Sequence, residues 1–245
     1  MQSLIKKNIF LQENTIVGLF FSFAIIEILA ELFSFKVILF AFRPFIAVVL
    51  LYLYWITSNV RSLLFFVTVF FLLLTSIFIL STSMLFLILG LTGILIHRIL
   101  LIFYILKLNK VKDFMPIVIA IIPFILIFSY LLSISDEIPE NSYYPLVAQN
   151  ILVSILGGVI LSNYFMNQTR NTPWLFIFGL LSTAMYFTVF IEKCFLFNLP
   201  PTFFTPLGMI LYVSSYYAFY KFVIDTERMD VDLQEYNYQN NSLID

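Results

Sequence analysis

From Ser62 to Ile96 the chain runs for 35 residues without one formal charge. An α-helix rises about 1.5 Å per residue, so one helix of that length would measure roughly 52 Å, against a bilayer core of about 30 Å. The stretch is too apolar for water and too long for a single crossing. It must enter a membrane, turn and return, and Ser81, Thr82 and Ser83, its most polar point, mark the expected hairpin.

The rest of the chain repeats this pattern. Hydrophobic residues make up 62% of the 245 and charged residues 11%, where soluble domains carry about 45–50% and 25%. Runs of roughly 20 apolar residues predict spans at 15–35, 37–56, 62–80, 84–107, 114–135, 146–166, 173–195 and 203–224. Pro145, Pro173, Pro200, Pro201 and Pro206 fall at loops and helix entries. The fold class is therefore all-α: a polytopic bundle of eight transmembrane helices over residues 1–225. The segment 226–245, "TERMDVDLQEYNYQNNSLID", reads as a disordered polar cytoplasmic tail. The first span carries Glu27 and Glu31 and lacks an A-x-A site, which argues against a cleavable signal.

The loops set the expected orientation. Lys6 and Lys7, Arg61, "KLNKVK" (107–112), Arg170, and Lys221 with Arg228 all fall on one side, which the positive-inside rule makes cytoplasmic. The acidic "SDEIPEN" (135–141) and the uncharged "NLPPTFF" (198–204) fall on the other, with Lys36 the main exception. The expectation is a multi-pass protein of a bacterial inner (plasma) membrane, both termini cytoplasmic, with membrane lipids as its partners. A net charge of −1 gives no electrostatic case for nucleic acid. One cysteine and one histidine exclude an internal disulfide and leave no Cys/His metal set, so no metal or cofactor is expected. No Walker loop, G-x-S-x-G or H-E-x-x-H motif is present. The thirty Phe and fourteen Tyr read as lipid-facing packing.

Charges inside a span are costly, so they turn towards the bundle interior and find partners. Glu27 and Glu31, spaced i,i+4, share one face of the first helix. Arg43 opens the second helix beside Pro44, and a short loop makes the two helices neighbours. Helix rise puts Glu27 about 18 Å, Arg43 about 20 Å and His97 about 15 Å from the cytoplasmic edge. An ion pair between Arg43 and the glutamates is expected, and such a pair often serves structure alone. His97 alone most simply makes a helix–helix hydrogen bond. Arg98, rotated about 100° round the helix, is expected to snorkel to the cytoplasmic headgroups.

Eight short-looped spans, an acid in span one, the pair Arg43-Pro44 opening span two, and "LILGLTGILIHRILLIFY" in span four together resemble the YhhN family of lysoplasmalogenase-like membrane proteins. The resemblance covers nearly the whole chain. It implies a bundle that receives a lysolipid, and, in hydrolytic members, cleavage of a vinyl-ether bond to an aldehyde and a glycerophospho-base. It also places Arg43-Pro44 where the family has Lys-Pro, and His97 near its span-four histidine.

The chain departs from the family at two aspartates regarded as catalytic, in a Gly-Asp pair on span three and a Ser-Asp pair on span seven. The matching stretches read "LLLTSIFIL" (72–80) and "GLLSTAMYF" (179–187), which puts Ser76 and Thr183 where the acids should be. A hydroxyl cannot protonate an enol ether as a carboxylic acid does. Three functions stay open. One is a lysolipid-like amphiphile held in an intramembrane polar cavity formed by Arg43, Ser76 and Thr183 together with Glu27, Glu31 and His97. Another is an ether hydrolase in which Glu27 or Glu31 works with His97 as the catalytic set. The third is a small-molecule transporter, for which intramembrane Glu, Arg and His are ordinary pathway residues.

Overall fold

The computed structural model describes residues 2–33, 35–79, 83–110, 113–135, 140–166, 173–196 and 203–241, with side chains except at 2–11, 36, 140–142 and 234–241. In chain order the helices are α1 (Gln2–Leu32), α2 (Lys36–Thr57), α3 (Leu63–Phe78), α4 (Met84–Asn109), α5 (Met115–Ser133), α6 (Glu140–Met166), α7 (Pro173–Cys194) and α8 (Phe204–Asn241). Seven are long and apolar enough to cross a membrane. α3, also apolar, has 16 residues, about 24 Å of helix. Lipid offers no hydrogen bonds to a backbone, so apolar runs of this length have only the helix open to them. Residues 81–82 of the expected hairpin lie outside the described residues; Ser83 immediately precedes α4.

Successive helices pack as antiparallel neighbours α1–α2, α3–α4, α5–α6 and α7–α8. Further contacts join α2 to α3, α4 to α6, α6 to α7, and α8 back to α1 and α2. The result is a ring closed by α8, with α5 mounted outside it against α6. Among the seven long apolar helices α8 is the most buried and α5 the least. Glycine permits the α5–α6 approach: a Cβ at Gly158 would stand 2.9 Å from the Ile121 backbone and 2.4 Å from its Cγ1. Close contact through small residues substitutes, inside a membrane, for the hydrophobic drive that water would supply.

Two expectations change. α8 does not stop where its apolar run ends: residues 226–241 are helical, where composition alone predicted a disordered tail. The reason is tertiary. Thr226 and Glu227 are buried, so the helix is held beyond Lys221 by contacts that local composition does not reveal. Nor do the aromatics face only lipid. Tyr54, Tyr104, Tyr220, Phe65, Phe178 and Phe219 are among the largest fully buried side chains, and Phe65 stacks on Tyr54 and Phe219 at the centre of the core.

Candidate intramembrane polar site

The α1–α2 hairpin brings its charges together. Arg43 Nε donates to Glu27 Oε1 at 2.8 Å, and its Nη2 lies 3.6 Å from Glu31 Oε2. Glu27 is buried; Arg43 and Glu31 are partly so. The i,i+4 spacing delivers both carboxylates to one guanidinium. That leaves one carboxylate in excess, with Glu27 Oε2 and Glu31 Oε2 making no hydrogen bond among the described residues. Arg43 Nη2 also points at Met209 Sδ of α8, 3.5 Å away.

From Met209 the polar row continues along α8. Met209, Tyr212 and Tyr216 follow one another at i, i+3 and i+7, one face of a helix. The Tyr212 and Tyr216 rings meet at 4.8 Å, and Tyr212 lies within the electrostatic reach of Glu27 and Arg43. Tyr216 ends the row at His97. The imidazole bridges three helices: its Nδ1 is 2.8 Å from the Thr68 carbonyl of α3 and its Nε2 is 2.8 Å from the Tyr216 hydroxyl. A carbonyl only accepts, so Nδ1 carries a proton. In the neutral ring Nε2 then accepts from Tyr216.

The row is oblique to the helix axes. From the end of the bundle at which α2, α4 and α8 begin, helix rise puts Arg43 about 10 Å in, Tyr212 about 12 Å, Tyr216 about 18 Å and His97 about 20 Å. The other two residues singled out by sequence do not visibly join it. Ser76 is buried but donates back to the Leu73 carbonyl of its own helix at 2.7 Å. Thr183 is half-buried on α7, one turn before Tyr186.

Arg98 overturns its expectation. It does not snorkel: it is 7% exposed, with Cζ 5.2 Å from the centre of the Tyr186 ring. α4 packs on both α3 and α6, so two adjacent residues about 100° apart both find the interior. His97 takes the α3–α8 side and Arg98 the side towards α7. The Tyr186 hydroxyl donates to Asn150 Oδ1 of α6, and the ring packs edge-on against Phe128 of α5.

A second network, which the sequence did not announce, closes the bundle where α2 ends. The buried Glu227 carboxylate accepts from Tyr54 Oη and from Ser58 Oγ, each at 2.6 Å. Those hydroxyls accept in turn from the backbone N–H groups of Ser62 at 2.8 Å and Arg61 at 2.9 Å. This double relay holds Arg61 in the left-handed region, φ 49°, a conformation that L side chains disfavour. The Arg61 guanidinium lies over Trp55 at 4.4 Å. A cavity of about 120 Å³ adjoins the relay, lined by Thr57, Ser58, Glu227, Arg228 and Asp232 among others.

The missed participants share one signal. Tyr212 and Tyr216 repeat the i,i+4 spacing of the two glutamates, and tyrosine has a hydroxyl that needs a partner when buried. Compared with known proteins, the chain matches no family model, no curated protein and no solved structure.

Proposed function

We propose that this protein is a divergent member of the YhhN kind that binds a single-chain, lysolipid-like amphiphile inside the membrane and does not hydrolyse it. The observation that carries the reading is the polar row inside the bundle from Glu27 and Arg43 through Tyr212 and Tyr216 to His97. Spanning a membrane needs none of these groups, and each one inside a span is a cost that a function has to justify.

Binding is favoured over hydrolysis because hydroxyls, Ser76 and Thr183, stand where the resemblance would put the family's two acids. Glu27 Oε1 accepts from Arg43 Nε, so the carboxylate that would stand in for the family's acids also serves an ion pair between α1 and α2. Both nitrogens of His97 have partners. A vinyl ether needs an acid near its β-carbon, and the His97 Nδ1 proton is already given to the Thr68 carbonyl of α3. In this reading the Lys/Arg-bearing loops and both termini are cytoplasmic.

Mass spectrometry of the lipids that accompany the purified protein tests this. Single-chain amphiphiles enriched over the bulk membrane extract support the proposal. A lipid profile identical to the bulk extract overturns it.

A further inference from the structure

Among the described residues, Arg98 is a buried guanidinium without a counter-ion. It is 93% buried, no ion pair to it occurs among the described residues, and its Nη1 makes no hydrogen bond there. Among the described residues its guanidinium lies over the π-face of Tyr186; Tyr216 also lies within its electrostatic reach. Neither phenol turns its proton to waste: Tyr186 donates to Asn150 and Tyr216 to His97. The guanidinium thus has its donors left over, in a setting where arginine stays charged and an uncompensated charge is costly. The excess carboxylate of the Glu27–Glu31–Arg43 group lies on the far side of Tyr212 and Tyr216 and forms no ion pair with it.

We infer that Arg98 is the recognition residue for a monoanionic oxyacid group, a carboxylate or a phosphodiester, brought to it within the membrane. The inference rests on the amphiphile-binding reading and deepens it by naming the headgroup chemistry. A planar guanidinium offers paired N–H donors that match two oxygens of such a group. One negative charge balances Arg98; a dianion leaves a new charge buried. A route is visible. A groove of about 50 Å³ between α5 and α6 is lined by Phe128 and Asn150 among others, and both of these touch Tyr186. Tyr186 in turn lies under the Arg98 guanidinium.

The test measures the thermal unfolding midpoint of the purified full chain in neutral detergent against increasing dodecanoate, dodecanol and acetate. A midpoint rise with free-ligand concentration reports binding to the folded state. The expected result is a saturable rise with dodecanoate and little with dodecanol. In Arg98→Gln the apparent affinity for dodecanoate falls by about 10- to 100-fold, the loss of a charge-assisted contact, while Lys107→Gln behaves as wild type. An equal rise with acetate supports the anion site but points to a free anion, and so counts against the amphiphile reading alone. Equal rises with dodecanoate and dodecanol, unchanged in Arg98→Gln, overturn the Arg98 assignment and leave amphiphile binding standing. No rise with any of the three overturns both. Should Arg98→Gln fail to fold, the comparison of dodecanoate with dodecanol on wild type decides by itself.

Discussion

Tyr216 and His97 meet at 2.8 Å across the α4–α8 interface, and through the Thr68 carbonyl the same imidazole ties α3 to both. This contact joins the first four helices to the last. Tyr216→Phe leaves the ring nitrogen buried and unpaired, and should destabilise the bundle by about 0.5–2 kcal/mol, the range for interhelical hydrogen bonds in membranes. Unfolding in mixed micelles measures it. A double-mutant cycle with His97→Phe should recover the coupling, whereas strictly additive effects would mean that the two side chains do not interact.

Arg43 and Glu27 meet at the same distance, 2.8 Å, as an ion pair. Removing one partner of a buried pair strands the other charge and costs about 3–5 kcal/mol. Arg43→Met should therefore lower the midpoint sharply, while Met at the exposed Lys107 should shift stability by no more than about 0.5 kcal/mol. Adding Glu27→Gln to Arg43→Met should restore part of the loss, because the stranded carboxylate is then gone.

How much of this could be read from sequence follows from which forces are local. Helix number and placement were legible because a bilayer admits only one backbone solution to a long apolar run. The Glu27–Arg43 pair was legible because an i,i+4 spacing and a short hairpin loop together fix the geometry. Arg98 was not. Which side of α4 meets lipid depends on α6 packing across it, and that contact joins segments far apart in the chain. Tyrosine hid in the same way, since a Tyr at a membrane surface and a Tyr inside the bundle look alike until its hydroxyl partner is known. Glu227 sits in a stretch whose composition reads as solvent-exposed, yet Tyr54 and Ser58 of α2 draw it in.

The Glu227 relay should govern the turn between α2 and α3. Hydrogen bonds to a charged group contribute about 1.5–3 kcal/mol each, and Glu227→Ala removes two. The expected outcome is a loss of several kcal/mol, with amide exchange at Arg61 and Ser62 rising well above that of the α2 core. Unchanged exchange at those two amides would show that the turn holds itself.

Orientation is tested by cysteine accessibility in intact cells, in a Cys194→Ala background. Lys110→Cys, an exposed position after α4, should resist a membrane-impermeant reagent, and Glu140→Cys should react. The opposite pattern would invert the proposed topology.

The most direct test of binding without hydrolysis puts both properties on one preparation: protein in nanodiscs, offered a lysoplasmalogen, with bound lipid and released aldehyde measured together. The account predicts saturable binding and no aldehyde above the protein-free rate, with Glu27→Gln no different in turnover. Aldehyde release by the wild-type protein that disappears in Glu27→Gln would contradict it and make Glu27 the acid of an active hydrolase.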